Sequence, residues 1–350
     1  MPNPPQKILV IRLRGIGDVV LTTPVLENLR RAFPRARIDY LTEPPSAPLL
    51  QIHPAITTVH VLEHKRWRKL PGLAALRANL DFIRTLREQN YDLVIDLFGN
   101  PRTALLTYLT RAALRVGFRF RVRRFAYNRV VEPRGAHLHA AEFHLDALRA
   151  LQIPIATSQP RIAAAVSPVA EKFWQEHRIT AHDRVIAFNA FGGWHTKRWP
   201  LASFAELGDR LQRELGAKVI LLWGPGELEE VRHMAAMMRT PALIAPPTSL
   251  NDLTALLDRV NLLVANDSGP MHLAAALQTP VLAIFGPTRP DLQGPLGEGH
   301  VVVTKEGLPC LGCNGLTCKI ATHDCMQKLS VETVFHAVSK RIAEVNRMAD

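Results

Sequence analysis

From residue 185 onward the chain keeps one rhythm. Short apolar runs at 185–190, 218–223, 242–245, 262–265 and 280–285 alternate with helix-patterned segments at about 167–178, 201–215, 227–239, 249–259 and 272–278. Runs of this length with little polar alternation are buried on both faces. Strands that are each separated by a helix form a parallel sheet with helices on both sides. The chain is therefore α/β, and ligands are expected at the C-terminal ends of its strands.

The first half repeats the theme less cleanly. Strands are expected at 7–13, 37–42, 59–62 and 91–97, and helices at 18–33, 73–89, 101–114 and 139–151. The stretch 153–160 is short, uncharged and proline-containing, which suits a linker. Two domains follow, 1–158 and 159–350, with a terminal helix at 331–348 that is free to pack back on the first. No fixed-period repeat or low-complexity segment is present.

Charge separates the halves. Residues 1–160 hold 24 Lys/Arg against 12 Asp/Glu, so the net +12 of the chain lies entirely there. Solubility alone does not explain that confinement; an anionic partner does, whether nucleic acid, anionic lipid or a phosphorylated substrate. No apolar run reaches the roughly 18 residues of a membrane span, and the N-terminus has no secretory layout. A cytoplasmic protein is expected.

The most informative stretch is Asn266-Asp267-Ser268-Gly269-Pro270-Met271-His272. It links an apolar strand to a helix. Asp267 or Ser268 can cap that helix, Pro270 suits its first turn, and Gly269 permits close approach. A helix start of this kind is also an anion site, to which His272 can add a donor. The plain alternative is an ordinary capped turn. Three further turns share the same rim: Gly192-Gly193 with Lys197 and Arg198, Gly224-Pro225-Gly226-Glu227, and Gly286-Pro287-Thr288. Together they suit a phosphate-bearing ligand, with Lys197 on the phosphates and Glu227 accepting ribose hydroxyls.

Gly15-Ile16-Gly17-Asp18 invites a dinucleotide reading, with Asp39 about 20 residues beyond. Val20 occupies the third glycine position, and Asp39 falls inside its strand, so that reading is weak. Asp18 suits either an N-cap or a general base.

These motifs, in order over nearly the whole chain, resemble glycosyltransferase family 9, the heptosyltransferases of lipopolysaccharide core assembly. Lys65-Arg66-Trp67-Arg68-Lys69 and the segment 91–96 add to the likeness. The resemblance implies a GT-B fold, two Rossmann-like domains facing a central cleft, with the acceptor on the first and ADP-heptose on the second. It implies an inverting transfer without a catalytic metal. By position, Asp18 is the base and Lys197 the phosphate cation. Glu227 is the ribose ligand, and Asp267 contacts the donor sugar. Ser268, Gly269 and His272 surround the diphosphate, with Gly192, Gly193, Gly286 and Thr288 beside it, and Thr248 lies at the adenine. Arg289 stands where the family often has an acid, and Gly192 and Gly193 stand where some members carry hydroxyls.

Mechanistically, Lys197 and a helix N-terminus can neutralise a departing diphosphate. A base on the other domain, such as Asp18, then activates the acceptor hydroxyl when the cleft closes. Arg66, Arg68, Lys69 and Arg129, within the clusters at 65–69 and 115–129, are expected to meet a Kdo–lipid A or heptosylated core acceptor. Peripheral contact with the anionic inner leaflet is expected from the same charge. Cys310, Cys313, Cys318 and Cys325 are spaced for a structural zinc or iron–sulfur cluster. Two alternatives stay open: a GT-B enzyme using another nucleotide sugar, or a basic protein binding nucleic acid or membrane. No nucleic-acid-binding signature accompanies the charge.

Overall fold

The computed structural model describes residues 4–119, 123–135 and 137–349. It divides into two compact units, 1–160 and 161–350. Each is built on a six-stranded, all-parallel sheet.

In the first unit the strands are β1 (Lys7–Ile11), β2 (Arg37–Thr42), β3 (Thr58–Val61), β4 (Leu93–Asp96), β5 (Leu114–Phe118) and β6 (Arg129–Val131). Their spatial order is β3-β2-β1-β4-β5-β6. The central strand explains the apolar run: Ile8, Leu9, Val10 and Ile11 are fully buried, two toward each face. Helices Thr23–Ala32 and Ala140–Arg149 cover one face, and Gly72–Glu88 and Pro101–Leu109 lie on the other.

The second unit repeats the order with β7 (Val185–Asn189), β8 (Lys218–Leu221), β9 (Leu243–Ile244), β10 (Leu262–Asn266), β11 (Val281–Phe285) and β12 (Val301–Thr304). Read from β7, the order β12-β11-β10-β7-β8-β9 is the same doubly wound plan. Strand order reverses between β1 and β4, and again between β7 and β10. The rim outside such a reversal is where open α/β sheets hold ligands.

Several expectations are corrected. The helix expected at 18–33 is two helices, Ile16–Val20 and Thr23–Ala32. Pro24 starts the second one, and the Thr22 hydroxyl turns to Val19 O and Tyr40 at the break. The helix expected at 101–114 ends at Leu109, because Leu114–Phe118 pairs as β5. The terminal helix, Val331–Ala349, uses its apolar face within the second unit. Val334, Phe335 and Val338 enter that core, and the helix packs on Leu201–Leu215. The stretch expected to be a linker is held by the first unit, where Asn28 Oδ1 accepts the Ala156 and Thr157 amides. Among the described residues, no helix is long and apolar enough to cross a membrane.

Candidate active site

The second unit gathers most of the expected residues at the C-terminal ends of β7, β10 and β11. Asn266, the last residue of β10, fixes the neighbouring loop. Its Nδ2 donates to the Ala190 carbonyl (2.7 Å), and its Oδ1 accepts the Trp199 amide (3.2 Å). Trp199 is buried, with its indole N–H on Leu329 O. The loop 190–199 is thus pinned at both ends, and its short helical turn His195–Lys197 delivers Lys197 to the rim.

There Lys197 Nζ meets Asp267 Oδ2 at 2.6 Å, and the Thr288 hydroxyl donates to the same oxygen at 2.7 Å. Lys197 also lies over the Trp194 ring, 4.4 Å from its centroid. Gly192 is closely packed here: a Cβ would stand 3.3 Å from the Asp267 carbonyl oxygen, a tight contact. Gly193 is exposed, with open space around it.

Asp267 and Ser268 do not cap the following helix, Gly269–Ala276, as their types suggested. Ser268 occupies the N-cap position, but its hydroxyl donates to Asn189 Oδ1 (2.9 Å), across the β7–β10 reversal. Asp267 is held by Lys197 and Thr288. The first turn of the helix, with Gly269, Pro270 and the buried His272, therefore carries no side-chain cap. An uncapped helix start beside a half-buried cation is suited to bind an anion.

Glu227 lies beyond β8, where its Oε2 accepts the Gly224 amide (2.7 Å) and shapes the turn. Gly226 takes φ 88°, a left-handed value that favours glycine. Thr248 is half-buried beyond β9, just before the capping box of Ser249 and Asp252. Arg289 is exposed and paired with Asp291. A cavity of about 710 Å³ beside β12 and the terminal helix contains none of these residues.

In the first unit Asp18 sits in the short helix after β1. It is not an N-cap; Gly15 is, at φ 78°. A Cβ on Gly15 would overlap the Asp18 carboxylate, so glycine is required there. Asp18 is half-exposed and pairs with Arg12 at 3.1 Å. Arg12 also donates to Leu97 O (3.2 Å) and lies over Phe98, bridging β1 to β4 at the reversal.

The same rim holds a cluster that the sequence did not reveal. Glu43, after β2, is buried and pairs with Arg14 (3.1 Å), and His64 Nδ1 stands 3.6 Å from its carboxylate. Burial, then the charge of Arg102, holds His64 below the ordinary histidine range. These residues stand far apart in the sequence, Arg14 and Glu43 by 29 positions, and carry no motif, so only the fold unites them. Asp96, by contrast, is enclosed. Burial raises its carboxyl, which accepts the Phe98 and Gly99 amides and the Tyr127 hydroxyl.

The arginines expected to meet an acceptor divide. Arg129 is exposed, and its Nε donates to Ala150 O at the end of helix Ala140–Arg149. Arg115 bridges Ala112 O and Ala126 O. Arg66 pairs with Glu63 on the surface, while Arg68 and Lys69 are exposed. Arg121 lies outside the described residues, as do the side chains of Arg123 and Arg124.

The four cysteines border one small cavity of about 60 Å³ with His323. Among the described residues no group of three or more His, Cys, Asp or Glu side chains is arranged to hold a metal ion, the zinc or iron–sulfur centre expected from their spacing included. His323 Nε2 is engaged by the Thr196 carbonyl (2.5 Å). Cys325 is buried against the Gly286 turn, and Cys313 is exposed. The segment braces the site instead. Gly312 and Asn314 amides donate to Gly286 and Pro287 carbonyls, and Thr196 Oγ1 donates to Gly315 O.

Two Rossmann-ordered parallel sheets in one chain, with an anion-ready rim on the second, define the GT-B class of glycosyltransferases. Residues 79–323 match the family model for glycosyltransferase family 9 (heptosyltransferase). The chain is 31% identical over 330 residues to lipopolysaccharide heptosyltransferase 1 of Pseudomonas aeruginosa, covering 89% of this chain and 87% of that one. A family 9 glycosyltransferase from Veillonella parvula superposes with a TM-score of 0.83 at 28% identity, over 97% of each chain. An Escherichia coli heptosyltransferase crystallised with ADP gives 0.77 at 25%, over 96% of this chain and 99% of that one. The chain belongs to glycosyltransferase family 9.

Proposed function

We propose that this glycosyltransferase moves a heptose from ADP-heptose to the inner core of lipopolysaccharide, with inversion at the anomeric carbon. The observation that carries the reading is the cluster Lys197–Asp267–Thr288 beside the uncapped start of helix Gly269–Ala276. The chain's similarity to a heptosyltransferase whose structure holds ADP supports an adenosine-diphosphate sugar as donor. The Pseudomonas aeruginosa relative supports the lipopolysaccharide core as acceptor.

In this reading the diphosphate occupies the helix start, with Gly192, Gly193, Ser268, Gly269, His272 and Gly286 around it. Lys197 turns from Asp267 to the leaving group as its charge grows, the role a metal plays elsewhere. Asp267, released from Lys197, receives the donor sugar with Thr288. Glu227 takes the ribose and the Thr248 backbone the adenine. Asp18, on the first unit, removes the proton from the acceptor hydroxyl, which attacks in line. The first unit binds the acceptor through Arg66, Arg68 and Lys69, at the cytoplasmic face of the inner membrane.

Calorimetric titration with ADP, UDP and GDP tests the donor: ADP is expected to bind tightest, and a preference for another base would overturn the heptose assignment. Transfer from ADP-heptose to truncated core acceptors, with the product's anomeric configuration read by NMR, tests acceptor and inversion together. Full turnover in EDTA is expected, and its loss would contradict a lysine-neutralised leaving group.

A further inference from the structure

Arg12, the residue after β1, is enclosed where its ionic partner is not. Its side chain is 15% exposed, against 47% for Asp18. Its amide donates to Leu41 O (3.1 Å) and its guanidinium to Leu97 O (3.2 Å), which ties it to β2 on one side and to the end of β4 on the other. Phe98 covers the guanidinium, 5.0 Å from the ring centroid, and Nε is buried without a partner. Taking a guanidinium out of water is costly. A half-exposed carboxylate repays little of that cost, because solvent screens the pair. Stability does not account for the enclosure of Arg12.

The geometry around Asp18 does. Asp18 stands on the short helix Ile16–Val20, whose Gly17, Val19 and Val20 are buried, so the helix is fixed against the sheet. Arg12 meets one carboxylate oxygen, Oδ2, at 3.1 Å. The same oxygen faces Gly15, where a Cβ would overlap it. Among the described residues no group bonds Oδ1. One oxygen is held against the chain and the other is left open. The torsion that would exchange them is a soft one, so the arrangement lasts only while something grips Oδ2.

We propose that Arg12 is a positioning residue for the proton transfer: it holds Asp18 Oδ2 inward and so presents Oδ1 to the acceptor hydroxyl. The proton passes from that hydroxyl to Oδ1 as the hydroxyl oxygen bonds the anomeric carbon, and the diphosphate leaves with the electron pair of the broken bond. Arg12 itself touches no reacting atom. The inference rests on the reading of Asp18 as the base and adds what aims it.

Transfer kinetics, with ADP affinity measured by calorimetry, test it. Arg12→Met removes the guanidinium and keeps most of the stem. Its kcat is expected to fall about 10- to 100-fold, the cost of a misplaced catalytic group, with ADP affinity within about twofold of the unaltered protein. Arg12→Lys keeps the charge but reaches only one of Leu97 O and Asp18, and its kcat should lie between the two. It carries the same test if circular dichroism shows that the methionine variant does not fold. The decisive comparison is made in Asp18→Asn. If Arg12 acts through Asp18, Asp18→Asn/Arg12→Met turns over within about twofold of Asp18→Asn alone. A double variant that loses the full Arg12→Met factor again would show a merely structural role and overturn the proposal. So would an Arg12→Met or Arg12→Lys enzyme with unchanged kcat beside a crippled Asp18→Asn, an outcome that leaves the base reading standing. Near-normal turnover of Asp18→Asn sinks the base reading, and the role of Arg12 with it.

Discussion

Lys197 Nζ and Asp267 Oδ2 are 2.6 Å apart, with the two side chains only 13% and 6% exposed. Removing one member of so enclosed a pair leaves an uncompensated charge, which costs about 3–5 kcal/mol. Lys197→Met is expected to lower unfolding stability by about 3 kcal/mol, and Lys197→Met/Asp267→Asn to recover most of it. Denaturant unfolding of the two variants measures this coupling. A double variant no more stable than the single one would show that the pair is not coupled. Transfer should not recover: with Lys197 proposed as the leaving group's cation, both variants are expected to lose at least about 100-fold in kcat.

Asp18 offers the opposite balance. Its carboxylate is 47% exposed, and the pair with Arg12 is solvent-screened on that side. Exposed pairs contribute about 1 kcal/mol or less. Asp18→Asn keeps the shape and is expected to move the melting temperature by no more than about 3 °C. A general base contributes about 100-fold or more, so kcat should fall by at least that factor. Near-normal turnover in this variant would assign the proton transfer to another group.

His144 supplies a pH dependence. It is buried in helix Ala140–Arg149, and burial, then the charges of Arg12 and His139, pushes its pKa down to about 3. The unfolded chain protonates this ring near pH 6.5, whereas the folded one does not until about pH 3. Stability is therefore fully present above pH 6.5 and is lost as pH falls toward 3. At pH 5 the loss is about 2 kcal/mol. His300, pushed to about 4 by burial, then Arg341, adds a term of the same sign. His144→Gln should flatten the slope between pH 6.5 and 5 in urea titrations. An unchanged slope would place the acid sensitivity elsewhere.

The fold was legible where strands are buried on both faces. Residues 262–265 and 280–285 read as strands because nothing polar interrupts them. β5 and β6 did not, since Arg115 and Arg129 interrupt short runs and their guanidinium groups serve backbone carbonyls. β12 was missed at the sheet's edge, where Val302 is 40% exposed and the apolar signal is short. At the site, residue types pointed to an anion, but pairings were illegible. Ser268 has the chemistry of a cap, yet Asn189, 79 positions away, takes its hydroxyl. Asn189 and Asn266, the residues that tie the loops to the strand reversal, look like ordinary strand ends until the sheet order is known. The break within 18–33 had a signal that the single-helix reading passed over, Pro24, since proline at a helix start is as informative as proline past its end.

The cysteines give a graded test of how the donor rim is braced. Burial, then the three neighbouring cysteines, pushes the Cys325 thiol up to about 11, so it stays protonated near neutrality and is a poor nucleophile. Cys313 is exposed. Iodoacetamide at neutral pH, followed by peptide mass spectrometry, should label Cys313 first and Cys325 only on unfolding. Gly286 sets that protection, since a Cβ there would stand 2.5 Å from Met326 Sδ and 3.0 Å from Cys325 Sγ. Gly286→Ala must displace one of these, and Thr288 lies two residues on, bonded to Asp267. The variant is expected to expose Cys325 to labelling and to weaken ADP binding together. Faster labelling with unchanged ADP affinity would show that the cysteine segment braces its own fold and not the donor rim.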